Sequence, residues 1–151
     1  MTKGGLSFVV DASVGVKLFI QEELSDLAQA LFDMLADDPP ARLCVPDLFF
    51  IECANVLWKH ARKSGYPERE ALTDIRNLRR FNLAAVSTRD LMEPSLKMGM
   101  AWGVTAYDAC YVVLAAKMKI PFITADETLV RKLKEGTYPV RWLGDFKPQP
   151  E

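Results

Sequence analysis

Residues 6–16 read Leu-Ser-Phe-Val-Val-Asp-Ala-Ser-Val-Gly-Val. The apolar run 6–10 follows Gly4 and Gly5 and stops at Asp11, which is the pattern of a short buried strand. Apolar residues then recur at helical spacing over 14–20 and again over 24–36, where Leu24, Leu27, Ala28, Leu31 and Leu35 share a face. Asp37, Asp38, Pro39 and Pro40 break that pattern into a loop. The alternation continues along the chain. A strand over 43–45 leads through Pro46 and Asp47 into a helix over 48–63, which Ser64 and Gly65 close. Pro67, with Glu68 and Glu70 near the positive helix end, starts a helix reaching about residue 81. A strand over 83–86, helices over 89–102 and 106–119, a strand over 121–124, a helix over 126–134 and a strand over 140–143 complete the reading. Short apolar strands separated by helices predict an α/β fold, a three-layer α/β/α sandwich with a mainly parallel central sheet. No repeat or linker divides the sequence, so one domain over 1–151 is expected, with an ordered core over about 6–143 and a short tail over 144–151.

The 151 residues are half hydrophobic and 26% charged, a globular balance that excludes disorder and collagen-like classes. A chain of this size buries roughly 68 to 70% of its unfolded surface, so it needs neither disulfide nor metal to fold. Nineteen Lys and Arg against twenty Asp and Glu give a net charge of −1, short of the basic balance of proteins that bind nucleic acid by bulk charge. Cys44, Cys53 and Cys110 are odd in number and widely spaced, which fits neither a disulfide framework nor a zinc site and points to a reducing cytoplasm. No apolar run approaches the ~18 residues of a membrane span, and 6–10 is too short for a signal peptide.

The acids fall in unusual places. Asp11 is the only charge between 6 and 16, Glu52 the only one between 48 and 58, and Asp108 the only one between 106 and 116. A carboxylate carried into such surroundings costs several kcal/mol unless it is paired, hydrogen-bonded or bound to a cation. Asp11 follows the first strand and Asp126 follows the strand Phe122-Ile123-Thr124, so both emerge at the carboxyl edge of a parallel sheet, where open α/β folds bind ligands. Glu52 and Asp108 lie in helices that can reach the same edge. Four carboxylates brought together repel one another and call for positive charge among them. The three runs contain no basic residue, Lys17 lying just past the first. Mg²⁺ or Mn²⁺ would suit such oxygen donors, with Ser13 and Thr124 as possible supporting hydroxyls. Ions so held activate water against a phosphodiester. His60, the only histidine, sits far along a basic helix, so a Ser-His-Asp or Cys-His triad has no base near Asp11. Neither GxxxxGK[ST] nor GxGxxG is present to hold a nucleotide.

Four segments carry a family resemblance: Val9-Val10-Asp11-Ala12-Ser13, Glu52-Cys53-Ala54-Asn55-Val56-Leu57, Thr105-Ala106-Tyr107-Asp108-Ala109 and Ile123-Thr124-Ala125-Asp126. In their order and spacing the chain resembles the PIN-domain ribonucleases, and most closely the VapC-type toxins of toxin–antitoxin pairs. The resemblance spans nearly the whole chain. It implies a parallel-sheet α/β/α fold, Mg²⁺ or Mn²⁺, an RNA substrate, a homodimer and a small antitoxin protein as partner. It also implies that Asp11, Glu52, Asp108 and Asp126 are the catalytic, metal-holding acids. Ser13 stands where the family often carries Asn.

Each acid has a plainer reading. Asp126 and Asp11 can cap the helices that follow them, Asp108 can sit in a first turn for the helix dipole, and Glu52 can pair with a Lys or Arg. Glu127 reads as a solvent-facing first-turn acid. Seven Lys or Arg between 59 and 80 read as a solvated helical surface, with Arg69, Arg76 and Arg80 on one face as an RNA-contact alternative. The rival functions are a non-catalytic PIN-fold RNA- or protein-binding module and a phosphoacceptor signalling domain. The latter is disfavoured because Ala12 and Ser13, not further acids, follow Asp11.

Overall fold

The computed structural model describes residues 6–37 and 42–148. Among the described residues five parallel strands form one sheet: β1 (Ser7–Val10), β2 (Arg42–Pro46), β3 (Ala84–Val86), β4 (Phe122–Thr124) and β5 (Val140–Trp142). Among the described residues the helices are α1 (Ala12–Gly15), α2 (Ser25–Asp37), α3 (Leu48–Lys63), α4 (Glu68–Leu78), α5 (Met92–Trp102), α6 (Ala106–Met118) and α7 (Glu127–Lys132). The sheet order is β3-β2-β1-β4-β5, so the chain winds outward from β1 in one direction through β2 and β3, then in the other through β4 and β5. The switch point lies between β1 and β4, which pair through Val9 with Phe122 and Val10 with Ile123.

Strand alternation dresses both faces of the sheet. Phe122 turns to one side, where it stacks on Tyr111 of α6. Ile123 turns to the other, where it shares a cavity wall with Phe8 and Met34 of α2. Because both faces are covered, successive residues of β1 and β4 are apolar, as Val9, Val10, Phe122 and Ile123 show by their near-complete burial. Helix α6 is apolar around most of its circumference, and Ala109 to Val112, Leu114 and Ala115 are all buried, so it lies in the core rather than on it. The three-layer α/β/α sandwich expected from the sequence is the observed architecture.

Several boundaries differ from expectation. The helix expected over 14–20 is a single turn, α1, followed by a 3-10 turn at Val16–Leu18. Val14, Gly15 and Val16 are all buried, and the chain then turns through Leu24 at φ 68° into α2. The helix expected to reach about residue 81 ends at Leu78, which leaves Arg80 outside the helical face it was expected to share with Arg69 and Arg76. Ordered packing also continues past residue 143: Leu143–Asp145 forms a 3-10 turn, and Phe146 meets Phe8 edge-on at 6.2 Å. The Pro39-Pro40 loop lies outside the described residues. No described helix is long and apolar enough to cross a membrane.

Candidate metal centre

Asp11 is the first residue beyond β1 and is 8% exposed. Both of its side-chain oxygens are held by hydroxyls: Ser13 Oγ donates to Oδ1 and Thr124 Oγ1 donates to Oδ2, each at 2.5 Å. These bonds span the switch point, since Thr124 ends β4. The hydroxyls are fixed in turn by backbone amides, Ala125 N donating to Ser13 at 3.0 Å and Asp126 N to Thr124 at 3.1 Å. Ser13 and Thr124 therefore aim their protons at Asp11. Thr124, fully buried, orients that carboxylate rather than offering an accessible ligand oxygen.

Burial pushes the Asp11 carboxyl up to about 6 even though the two hydroxyls pull it down, and the nearby Asp108 charge adds to the rise. A shift of that size means the fold expends about 3 kcal/mol to keep the carboxylate ionised at neutral pH. Two of its roughly four lone-pair sites face hydroxyls and a third faces the Val14 N–H, so about one remains for a cation.

Glu52 lies in α3 and is half-buried. Its Oε1 accepts a hydrogen bond from the Tyr111 hydroxyl at 2.5 Å. Burial raises its carboxyl, the Tyr111 bond lowers it and the Asp108 charge raises it again. Asp108 stands in the first turn of α6, where Thr105 caps the helix by accepting from the Asp108 N–H at 3.1 Å. Burial raises the Asp108 carboxyl first and the Asp126 charge second, against a smaller lowering by Thr105 and by Lys132. Asp126 is exposed and caps α7, its Oδ1 accepting from the Leu129 N–H at 3.1 Å.

Asp108 thus lies within electrostatic reach of the other three acids, its charge felt by both Asp11 and Glu52 and itself feeling that of Asp126. No Lys or Arg among the described residues forms an ion pair with any of them. Lys17 is taken by Glu22 at 3.0 Å and by the Glu23 carbonyl at 2.8 Å, and Lys132 donates to the Gly103 carbonyl at 3.3 Å. The capping readings of Asp126 and the first-turn placement of Asp108 also hold, alongside this convergence. Glu127 is exposed, as expected.

Among the described residues, no three His, Cys, Asp or Glu side chains are set as a ready-made cage for an ion. A Mg²⁺-type ion keeps several waters and binds protein through one or two carboxylates, so it does not require such a cage. The donor set is all hard oxygen, and the three cysteines are free, buried and turned to the core. Tyr111 is the residue that the sequence left unmarked. Its signal was a hydroxyl in a helix whose other core positions are apolar, because a buried tyrosine needs a partner for its proton.

Comparison with known proteins adds to the geometry. A family model described as PIN domain matches residues 8–134. Ribonuclease VapC3 of Pyrobaculum aerophilum is 34% identical over 129 residues, covering 84% of this chain and 95% of that protein. Among solved structures, a Pyrobaculum aerophilum protein superposes with a TM-score of 0.69 at 20% identity, over 93% of this chain and 92% of its own. Mycobacterium tuberculosis VapC20, a sarcin-ricin loop cleaving toxin, gives 0.60 at 16% identity, over 82% and 93%. Rickettsia felis VapBC2, bound to a DNA fragment from its promoter, gives 0.62 at 9% identity, over 91% and 98%. At such identities these three likenesses concern the fold.

Proposed function

The chain belongs to the PIN domain family, and from that premise we propose that it is a divalent-metal-dependent endoribonuclease, the toxin of a toxin–antitoxin pair. Asp11, Glu52, Asp108 and Asp126 are the metal-holding acids, and Mg²⁺ or Mn²⁺ is the ion. The observation that carries this reading is Asp11: a carboxylate buried at the switch point, held at both oxygens, near a second acid and without a cationic side chain. When bound, the ion supplies positive charge to a phosphodiester oxygen and lowers the pKa of a water. The chain's own part is preparatory. Ser13 and Thr124 fix the orientation of Asp11, Thr105 fixes the start of the helix that presents Asp108, and Asp126 is held at the mouth of α7 by its cap.

The VapC3 relative is named a ribonuclease, which supports RNA as substrate, and a small antitoxin as partner belongs to the same VapC reading. A homodimer and a cytoplasmic location belong to the same reading. Met92, Leu96 and Met100, spaced by one turn along α5 and each more than half exposed, form an apolar row that suits a protein contact.

The test is cleavage of a labelled single-stranded RNA with Mg²⁺ or Mn²⁺, repeated with chelator. Chelation and either Asp11→Asn or Asp108→Asn are expected to abolish cleavage while leaving the circular dichroism unchanged. Full cleavage by either variant would sink the assignment. RNA binding with neither cleavage nor Mn²⁺ binding would favour the non-catalytic module.

A further inference from the structure

Neither the acid cluster nor its proposed chemistry accounts for Tyr111, yet this hydroxyl makes the one hydrogen bond recorded to the Glu52 side chain among the described residues. Tyr111 is 2% exposed, and its ring is stacked on Phe122 with centroids 5.6 Å apart and planes inclined by 12°. Phe122 is fully buried in β4, two residues before Thr124. A ring packed on that platform in a close-packed interior has little freedom left at either torsion, so its oxygen holds one position. Glu52 is the opposite case. Its carboxylate ends a flexible side chain, it is only half-buried, and no ion pair restrains it among the described residues.

Tyr111 lies three residues after Asp108 in α6, which places both near one face of that helix. The hydrogen bond therefore ties Glu52 of α3 to the element that carries Asp108, while the stacking ties the same ring to the strand that carries Thr124. An ionised carboxylate only accepts, so the phenol is the donor. Oε2 is left with no hydrogen bond among the described residues.

We propose that Tyr111 is a positioning residue of the metal centre: it holds Glu52 by Oε1 before the cation arrives and leaves Oε2 as the oxygen given to the ion. This rests on the metal-holding role proposed above for Glu52. Partners that orient ligating side chains in this way typically govern 10–100-fold in metal affinity.

The test is Mn²⁺ affinity of the full chain by titration calorimetry, with the electron paramagnetic resonance spectrum of bound Mn²⁺ as a second readout. Tyr111→Phe keeps the ring and its stacking and removes only the hydroxyl. Affinity is expected to fall about 10–100-fold, with a broadened Mn²⁺ spectrum and retained thermal unfolding. In a Glu52→Gln background the same substitution is expected to change affinity less than about threefold, because the group it positions is already gone. Phe122→Leu keeps the hydroxyl but loosens its platform, and is expected to weaken Mn²⁺ severalfold; it decides the matter if Tyr111→Phe does not fold. A purely structural tyrosine would lower the metal-free unfolding temperature and leave Mn²⁺ affinity unchanged, which overturns the proposal. Wild-type protein that binds no Mn²⁺ would overturn the metal reading as well, whereas wild-type binding with an unaltered Tyr111→Phe overturns the role of Tyr111 alone.

Discussion

The Asp126 carboxylate caps α7 through Oδ1, and it also raises the Asp108 carboxyl by its charge. Two substitutions separate these effects. Asp126→Asn keeps an acceptor for the Leu129 N–H and removes the charge, so stability should stay within about 0.5 kcal/mol while RNA cleavage falls at least tenfold. Asp126→Ala loses both, and urea unfolding should show a further loss of about 1 kcal/mol. Equal cleavage by Asp126→Asn and wild type would reduce Asp126 to its capping role. The same residue shows what a sequence carries at this scale. Asp11, Glu52 and Asp108 stand out because each is alone in an apolar run, and that is a property of neighbours in the chain. Tyr111 does not stand out, since tyrosine is an ordinary core residue and only its partner across 59 positions gives it meaning. Ser13 and Thr124 were legible as hydroxyls near the acids. That both point their protons at Asp11 depends on the meeting of two strand ends.

At the level of elements, α1 and α3 touch through Gly15, and that contact sets where α3 presents Glu52. A methyl group at Gly15 would come within 2.7 Å of Phe49 Cζ and 3.4 Å of Cys53 Sγ. Phe49 and Cys53 are fully buried, so neither can step aside freely. Gly15→Ala should therefore cost about 1–3 kcal/mol in chemical unfolding and lower RNA cleavage by displacing α3, and by disturbing the turn in which the Gly15 N–H donates to the Asp11 backbone carbonyl at 3.1 Å. A variant as stable and as active as wild type would show that the two helices separate without consequence. The order and type of the main helices and strands were readable from periodicity and from Pro and Gly signals. The ends were less so. Helix α4 stops at Leu78 rather than near residue 81, and the segment after Asp11 forms one α turn and one 3-10 turn in place of a longer helix.

Across the whole molecule, the raised Asp11 carboxyl makes stability depend on pH. Its folded pKa of about 6 lies above the ordinary aspartate value of 3.8, so the folded state binds the extra proton between these limits. Below about pH 3 both states are protonated and no penalty exists; above about pH 7 both are ionised and the folded state carries all of it. The metal-free protein should therefore lose about 3 kcal/mol more stability between pH 3 and pH 7 than Asp11→Asn does, measured by urea unfolding with chelator. Millimolar Mg²⁺ at pH 7 should recover part of that loss in wild type and little in the variant. Parallel pH profiles for the two proteins would contradict this account. Apolar spacing and isolated charge are local properties of a chain, and from them the layered α/β class, the succession of the main elements and the three lone acids could be read. That β1 and β4 lie side by side, that Thr124 and Ser13 clasp Asp11, and that Tyr111 holds Glu52 emerged with the folded chain. Those contacts join residues two to 113 positions apart, and the physical reason they form is the packing of two covered sheet faces around one switch point.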